Sequence, residues 1–281
     1  MNSHTAANLP DAKSVSTVVL AWNGRDILLA CLAALRRAGL MQMPHEVIVV
    51  DNASSDGTGP AIARAFPEIL VIQNDVNRGI AAGRNQGIAT SRGDCVLILD
   101  QDTEVQPNAP LHLLQAISFP GVGIVGPRLV GLEGELQYTG RLFPTLWGKI
   151  GRRVNISLLE RIAFREELRD WDHASARDVD YVIGACQLVR REVFESVGVF
   201  DERFFYGPDD VDFCLRARLE GWRVAYEPRA LVIHAERRLT KGVRINKMLI
   251  RHTLSVGYYF AKHRYLFSRH RLYARMKPAR G

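Results

Sequence analysis

Val15–Ala21 is a largely apolar, β-branched run that stops at the turn Trp22-Asn23-Gly24, and residues 26–37 then carry apolar side chains at helical spacing. The plan repeats. Residues 46–50 predict a second strand, closed by Asp51-Asn52-Ala53-Ser54-Ser55-Asp56-Gly57-Thr58, a cluster of turn and capping residues leading into a helix at 61–66. A third short strand at 69–72 precedes Asn77-Arg78-Gly79-Ile80-Ala81-Ala82-Gly83-Arg84-Asn85-Gln86-Gly87, where a helix begins. Cys95-Val96-Leu97-Ile98-Leu99 is a fourth, buried strand that ends in Asp100-Gln101-Asp102. Four strands joined by helices of this length predict a mostly parallel sheet with right-handed crossovers.

Past Pro107 the pattern changes. A helix to residue 118 gives way to a hairpin of residues 123–130 and 135–139, which makes the sheet mixed. Residues 141–178 are irregular at first, then charged and helical over 157–169, a length that reads as an insertion or a lid. Residues 179–189 form a strand interrupted by Gly184-Ala185, small residues that let something approach closely. A short helix at 191–197 and the aromatic segment Phe200 to Tyr206 lead to Gly207-Pro208 and to Asp209-Asp210-Val211-Asp212, which opens a helix to residue 219. Late strands at 223–226 and 230–233 leave His234 at the tip of the last. Ile245, Met248, Leu249, Val256, Tyr259, Phe260, Leu266 and Phe267 then recur at roughly helical spacing between Arg244, Lys247, Arg251 and Lys262. A basic amphipathic helix of this kind lies on a membrane or packs on the domain. The expected organisation is a disordered leader (1–15), one α/β domain (16–240, with halves 16–106 and 107–240) and a basic helical tail (241–281).

The 281 residues, 47% of them hydrophobic, suffice for the core of one large α/β domain. Cys31, Cys95, Cys186 and Cys214 stand far apart, with no Cys-x-x-Cys pair, which points to reduced thiols in a cytosolic setting. No apolar run approaches the roughly 20 residues that span a bilayer, and the first residues lack the apolar core of a signal peptide. The net charge of +7 is unevenly spread: 13 of the 37 Lys and Arg and none of the 30 Asp and Glu lie from Arg237 onward, leaving the preceding chain acidic with 24 against 30. Such an extension attracts polyanions, and the expected partner is an anionic membrane surface rather than nucleic acid.

Asp100 and Asp102 stand at the edge where open α/β sheets bind ligands. Positions two apart in an extended segment point the same way, so both carboxylates can converge on one hard cation, Mg²⁺ or Mn²⁺; a solvated turn is the plain alternative. Gly79 and Gly83 at a helix start let backbone N–H groups approach a diphosphate, with Arg78 and Arg84 adding charge, although close packing of a small-residue helix explains them equally well. Asp209 and Asp210 also fit a plain acidic helix start, and Arg216 is spaced to pair with Asp212. No Gly-x-Gly-x-x-Gly follows the first strand and no Gly-Lys-Ser/Thr occurs, which speaks against dinucleotide and P-loop sites.

In their order these motifs resemble the family 2 inverting glycosyltransferases of the GT-A fold, over roughly residues 16–240. The resemblance implies a nucleotide-sugar donor held by Trp22, Asn23, Asp51, Asn52, Asp56, Asn77, Gly79, Gly83, Asn85, Asp100 and Gln101, and a Mg²⁺ or Mn²⁺ held by Asp102 with Asp100 and His234. It also implies an acceptor near Gly184, Ala185, Phe205 and Tyr206, and an Asp general base. Leu99-Asp100-Gln101-Asp102-Thr103, Arg141-Leu142-Phe143-Pro144 and Gly184-Ala185-Cys186 are similar to the rhamnosyltransferase-like branch, whose Glu-Asp-Val-Asp stands here as Asp209-Asp210-Val211-Asp212. Asp209 matches that Glu and is the expected base, with Asp210 the other candidate. The branch implies dTDP-rhamnose or a UDP-sugar as donor, a saccharide or polyprenyl-linked acceptor, and work at the cytoplasmic face of a membrane, with Arg237 and Arg238 near the donor or an acceptor phosphate.

Two other classes compete. Asp100-Gln101-Asp102-Thr103 also resembles the nucleophile motif of haloacid-dehalogenase-type phosphatases, but in those the nucleophile strand opens the domain, and here three βα units precede it. A basic membrane adaptor accounts for the tail and leaves both acidic centres without a purpose.

Overall fold

In a computed structural model the described residues are 14–39, 43–152, 154, 156–236 and 247–280. The leader expectation, Arg237 and Arg238 lie outside or largely outside them. The first half follows the expected alternation: β1 (Val15–Ala21), α1 (Arg25–Arg37), β2 (His45–Asp51), α2 (Thr58–Ala65), β3 (Leu70–Gln73), α3 (Ile80–Thr90) and β4 (Cys95–Asp100). The second half is more broken: β5 (Thr103–Val105), α4 (Ala109–Ile117), β6 (Val122–Val130), β7 (Leu136–Gln137), β8 (Gly140–Arg141), α5 (Leu146–Gly151) and α6 (Ser157–Glu166). Then come β9 (Arg177–Val179), β10 (Tyr181–Val182), β11 (Cys186–Arg190), α7 (Arg191–Val197), α8 (Asp209–Leu219), β12 (Arg223–His234), α9 (Lys247–His263) and α10 (His270–Tyr273).

The main sheet runs β3-β2-β1-β4-β11-β6-β12-β5, with β1, β2, β3 and β4 parallel and β11 inserted antiparallel between β4 and β6. Two apolar clusters cover its faces. One holds α1 and α4 through Leu28, Leu32, Leu113 and Leu114, the other α8 and α9 through Phe213, Leu215, Tyr259 and Phe260. The glycines of α3 set its distance from the sheet: a Cβ at Gly83 would lie 2.4 Å from Leu20 Cδ1, and one at Gly87 2.3 Å from Val18 Cγ1.

Three expectations change. The single strand at 179–189 is three pieces: β9 pairs with β12, the chain leaves the main sheet after Val179 so that β10 pairs with β8, and Gly184 and Ala185 lie between β10 and β11. The two late strands are one, β12, irregular where Glu227 is followed by Pro228. The tail is not an appendage. Tyr259, Phe260, Tyr265 and Leu272 are buried in the second cluster, so Tyr259 and Phe260 point into the protein and not towards a membrane. Asp212, fully buried, anchors that tail: it takes Lys262 Nζ at 2.6 Å and His263 Nε2 at 2.8 Å as well as the expected Arg216 Nε at 2.9 Å. Phe267 remains exposed, stacked on Trp147.

Candidate active site

The C-terminal ends of the parallel strands lie level, Ala21 opposite Asp51 and Leu20 opposite Asp100. The chain moves outward through β1, β2 and β3 and then returns to β4 on the other side of β1, so strand order reverses between β1 and β4, where such sheets open a crevice. A cavity of about 1590 Å³ occupies that edge.

Asp100 ends β4. Gln101 and Asp102 form a turn instead of continuing an extended strand, and Thr103 Oγ1 locks it by donating to Asp100 O at 2.8 Å. The turn, not strand alternation, makes the two carboxylates converge. Gln101 ties it to the end of β1, accepting from Trp22 N at 3.0 Å and donating to Trp22 O at 3.0 Å. β12 supplies the third group: His234 pairs with Thr103 in register, and Ala235 N–H donates to Asp102 O at 2.9 Å. Ligand atoms of Asp100, Asp102 and His234 all lie within 4.8 Å of one another.

Gln137 fixes the His234 ring. Its Nε2 donates to His234 O at 2.9 Å, which leaves its Oε1 2.7 Å from His234 Nδ1. An amide oxygen only accepts, so Nδ1 carries a proton, and Nε2, 3.5 Å from Asp102 Oδ1, is the ring nitrogen that faces the carboxylates. Burial opposes charging this ring, but Asp102, Asp100 and Glu236 together outweigh it and raise its pKa above the ordinary value. Two carboxylates and an imidazole so placed are a suitable donor set for Mn²⁺ or Mg²⁺.

Arg84, 3% exposed, joins this edge to α8. Its Nη1 donates to Asp209 Oδ2 at 2.8 Å, and its Nη2 donates to Asp100 Oδ1 at 2.7 Å and to Gly184 O at 2.8 Å. A Cβ on Gly184 would stand 2.7 Å from Arg84 Nη1, so the close approach signalled by the small residues is that guanidinium. Asp209 is 3% exposed, and burial pushes its carboxyl up to about 6 against the pull of Arg84. Asp210 is half-buried and lines the cavity, its Oδ2 accepting from Gly184 N at 2.9 Å and its Oδ1 from Val211 N at 2.8 Å. Each oxygen keeps a lone pair. The expected base is thus the enclosed carboxylate, and its neighbour is the open one.

Of the expected donor residues, Trp22, Asn23, Asn52, Asn77, Gly79, Asp100 and Gln101 line the cavity. Asn52 is a hub, its Nδ2 donating to Asn77 Oδ1 and to Gly79 O, both at 3.1 Å, and its Oδ1 accepting from Arg78 N at 3.0 Å. Asp51, Asp56, Gly83 and Asn85 do not line it. Asp51 Oδ1 accepts from Ser54 N at 2.9 Å inside the loop, Asp56 accepts from Thr58 and from Arg25 N, and Gly83 packs on Leu20. Asn85 clamps Phe200 through both its N–H and its C=O, at 3.0 Å and 2.9 Å. Gly184, Ala185, Phe205 and Tyr206 all reach the cavity. Gln137 and the α9 residues Met248, Leu249 and His252, which also line it, carried no signal in the sequence, since only tertiary pairing brings them there.

The sequence model of glycosyl transferase family 2 matches residues 16–198. The N-acetylglucosaminyl-diphospho-decaprenol L-rhamnosyltransferase of Mycobacterium tuberculosis is 31% identical over 209 residues, 69% of this chain and 67% of that protein. Among solved structures, GalNAc-T7 with UDP, GalNAc and Mn²⁺ has a TM-score of 0.66 at 17% identity, covering 90% of this chain and 51% of the other. The mannosyltransferase PcManGT from Pyrobaculum calidifontis, with GDP-Man and Mn²⁺, has a TM-score of 0.61 at 20% identity, covering 90% and 65%. This chain therefore spans between half and two thirds of the matched structures, and they share its GT-A fold. The family match takes in β1 through α7, the stretch that carries Arg84, Asp100 and Asp102, and the chain belongs to glycosyl transferase family 2.

Proposed function

We propose that the chain moves a sugar from a nucleoside-diphosphate donor to a saccharide or lipid-linked acceptor with inversion at C1, and that the donor is dTDP-L-rhamnose. The observation that carries the reading is the meeting of Asp100, Asp102 and His234 at the point where strand order reverses, with two further carboxylates across the same cavity. The donor and acceptor classes rest on the Leu-Asp-Gln-Asp motif and on the mycobacterial relative's name. A lipid-linked acceptor implies work at the cytoplasmic face of a membrane; no described helix is long and apolar enough to cross one.

Inversion requires a carboxylate within about 2.6–3.2 Å of the acceptor hydroxyl, to take its proton as it attacks C1. We assign that role to Asp210, not Asp209. Both line the cavity, but Asp210 is the more exposed and is oriented by two backbone N–H groups, whereas Asp209 is 3% exposed and committed to Arg84. Asp102, Asp100 and His234 would hold a divalent cation, which would supply charge neutralisation to the departing diphosphate. Arg84 keeps Asp100 and α8 at a fixed separation, and the Trp22–Gln101 clamp holds the turn that carries Asp102.

A donor-hydrolysis screen with Mn²⁺ or Mg²⁺ tests the assignment: dTDP-rhamnose should turn over faster than UDP-hexoses, and Asp102→Ala should abolish the cation dependence while the protein stays folded. Preference for a UDP-hexose overturns rhamnose alone; turnover indifferent to Asp102 overturns the cation site.

A further inference from the structure

The wall of the cavity made by β8, α5 and the end of α6 is built around positive charge. Arg141, Lys149, Arg152 and Arg169 all line it. Three of them share one carboxylate: Glu167, nearly buried, takes Arg169 Nη2 at 2.5 Å, Arg152 Nε at 3.2 Å and Arg141 Nη1 at 3.6 Å. Neighbouring Glu166, fully buried, accepts from Thr145 N and Oγ1 at 2.9 Å and 2.6 Å, pairs with Arg269 Nη1 at 3.0 Å and lies 4.0 Å from Arg152 Nη2. The other acid on this wall, Glu160, is exposed to solvent. Arg152 Nε and Nη2 are buried without an aligned hydrogen-bond acceptor, and no hydrogen bond or ion pair holds the half-buried Lys149 ammonium among the described residues.

Four basic side chains set against Glu167, with Glu166 shared between Arg152 and Arg269, form an arrangement that a further anion completes. We propose that Arg141, Lys149, Arg152 and Arg169 form a subsite for a phosphate or diphosphate group carried by the acceptor. The four basic residues stand on another wall of the same cavity, built on β8, α5 and the end of α6 and not on β4 and β12, and the acceptor assignment rests on the glycosyltransfer reading above. Burial, with Arg152 and Arg141 close by, pushes the Lys149 ammonium down to about 7, and an anion in the subsite relieves that strain. Phe164, half-exposed on the same wall, offers apolar surface next to the charges. The acceptor that fits is thus a phosphate ester of an apolar alcohol.

Calorimetric titration of the full chain, saturated with dTDP and Mg²⁺, tests this with octyl phosphate as the probe and octyl glucoside as its neutral counterpart. Octyl phosphate should bind and octyl glucoside should not. Lys149→Gln and Arg152→Gln should each weaken octyl phosphate roughly tenfold, the worth of one hydrogen bond to a charged group. Lys149→Arg should retain binding, and Lys277→Gln, a surface ion-pair change, should leave it as in the wild type. Equal binding of the two probes, unchanged affinity in both Gln variants, or exclusion of octyl phosphate by dTDP overturns the subsite. Failure of the wild type to bind dTDP indicts the donor reading instead, and the octyl phosphate comparison then still decides the subsite.

Discussion

Asp209 and Asp210 are neighbours on one turn of helix, and burial separates their roles. Asp210→Asn should leave donor binding intact and lower kcat by roughly 10²- to 10⁴-fold, the worth of a general base. Asp209→Asn should act on the fold through Arg84, which keeps Asp100 and Gly184 O, so the cost should be about 1.5 kcal/mol of unfolding free energy, the worth of one hydrogen bond to a charged group; urea denaturation reads this, and an unchanged midpoint contradicts it. The Asp209 carboxyl, pushed up to about 6 by burial, is charged and paired with Arg84 only above that pH. As pH falls through about 6 the proton goes on, the pair weakens, and kcat/KM should drop, whereas an ordinary Asp would hold its charge to about 4. A profile flat down to pH of about 5 would show that this pair does not matter to turnover. The sequence made Asp100, Asp102 and His234 legible because carboxylates and an imidazole at strand ends have few other uses. The motif match ranked Asp209 above Asp210, but adjacent residues of one type differ only in what packs on them, and Arg84, read as charge near a phosphate, ties Asp209 to Asp100.

The tail shows how an element can be legible in the sequence while its packing partner is not. Periodicity announced the helix α9, but a basic amphipathic pattern fits a membrane and an acidic groove equally well, and the groove here is built by Asp201 and Asp212 from a distant part of the chain. Burial of Tyr259, Phe260, Tyr265 and Leu272 is worth about 1.5–3 kcal/mol each as an upper bound, a sum comparable with the roughly 5–15 kcal/mol that holds a whole domain together. Truncation after Thr240 should therefore yield a protein that fails to fold cooperatively, as judged by near-ultraviolet circular dichroism and thermal melting. A truncated protein that melts like the full chain would return the tail to the role of a detachable arm.

At the scale of the molecule, the four parallel strands and their helices follow from local pattern because each βα unit is nearly contiguous in sequence. The second half does not. β11 enters the sheet between β4 and β6, and β12 travels from residue 223 to bring His234 beside Asp102, pairings that no window of the sequence contains. The active edge is thus half local and half assembled, and the competing phosphatase reading survives only if the assembled half is ignored. NMR analysis of the products from dTDP-rhamnose, Mn²⁺ and a glycan acceptor decides between them most directly. The account predicts intact dTDP and a glycoside of inverted anomeric configuration; inorganic phosphate together with a phosphoryl group on Asp100 would contradict it.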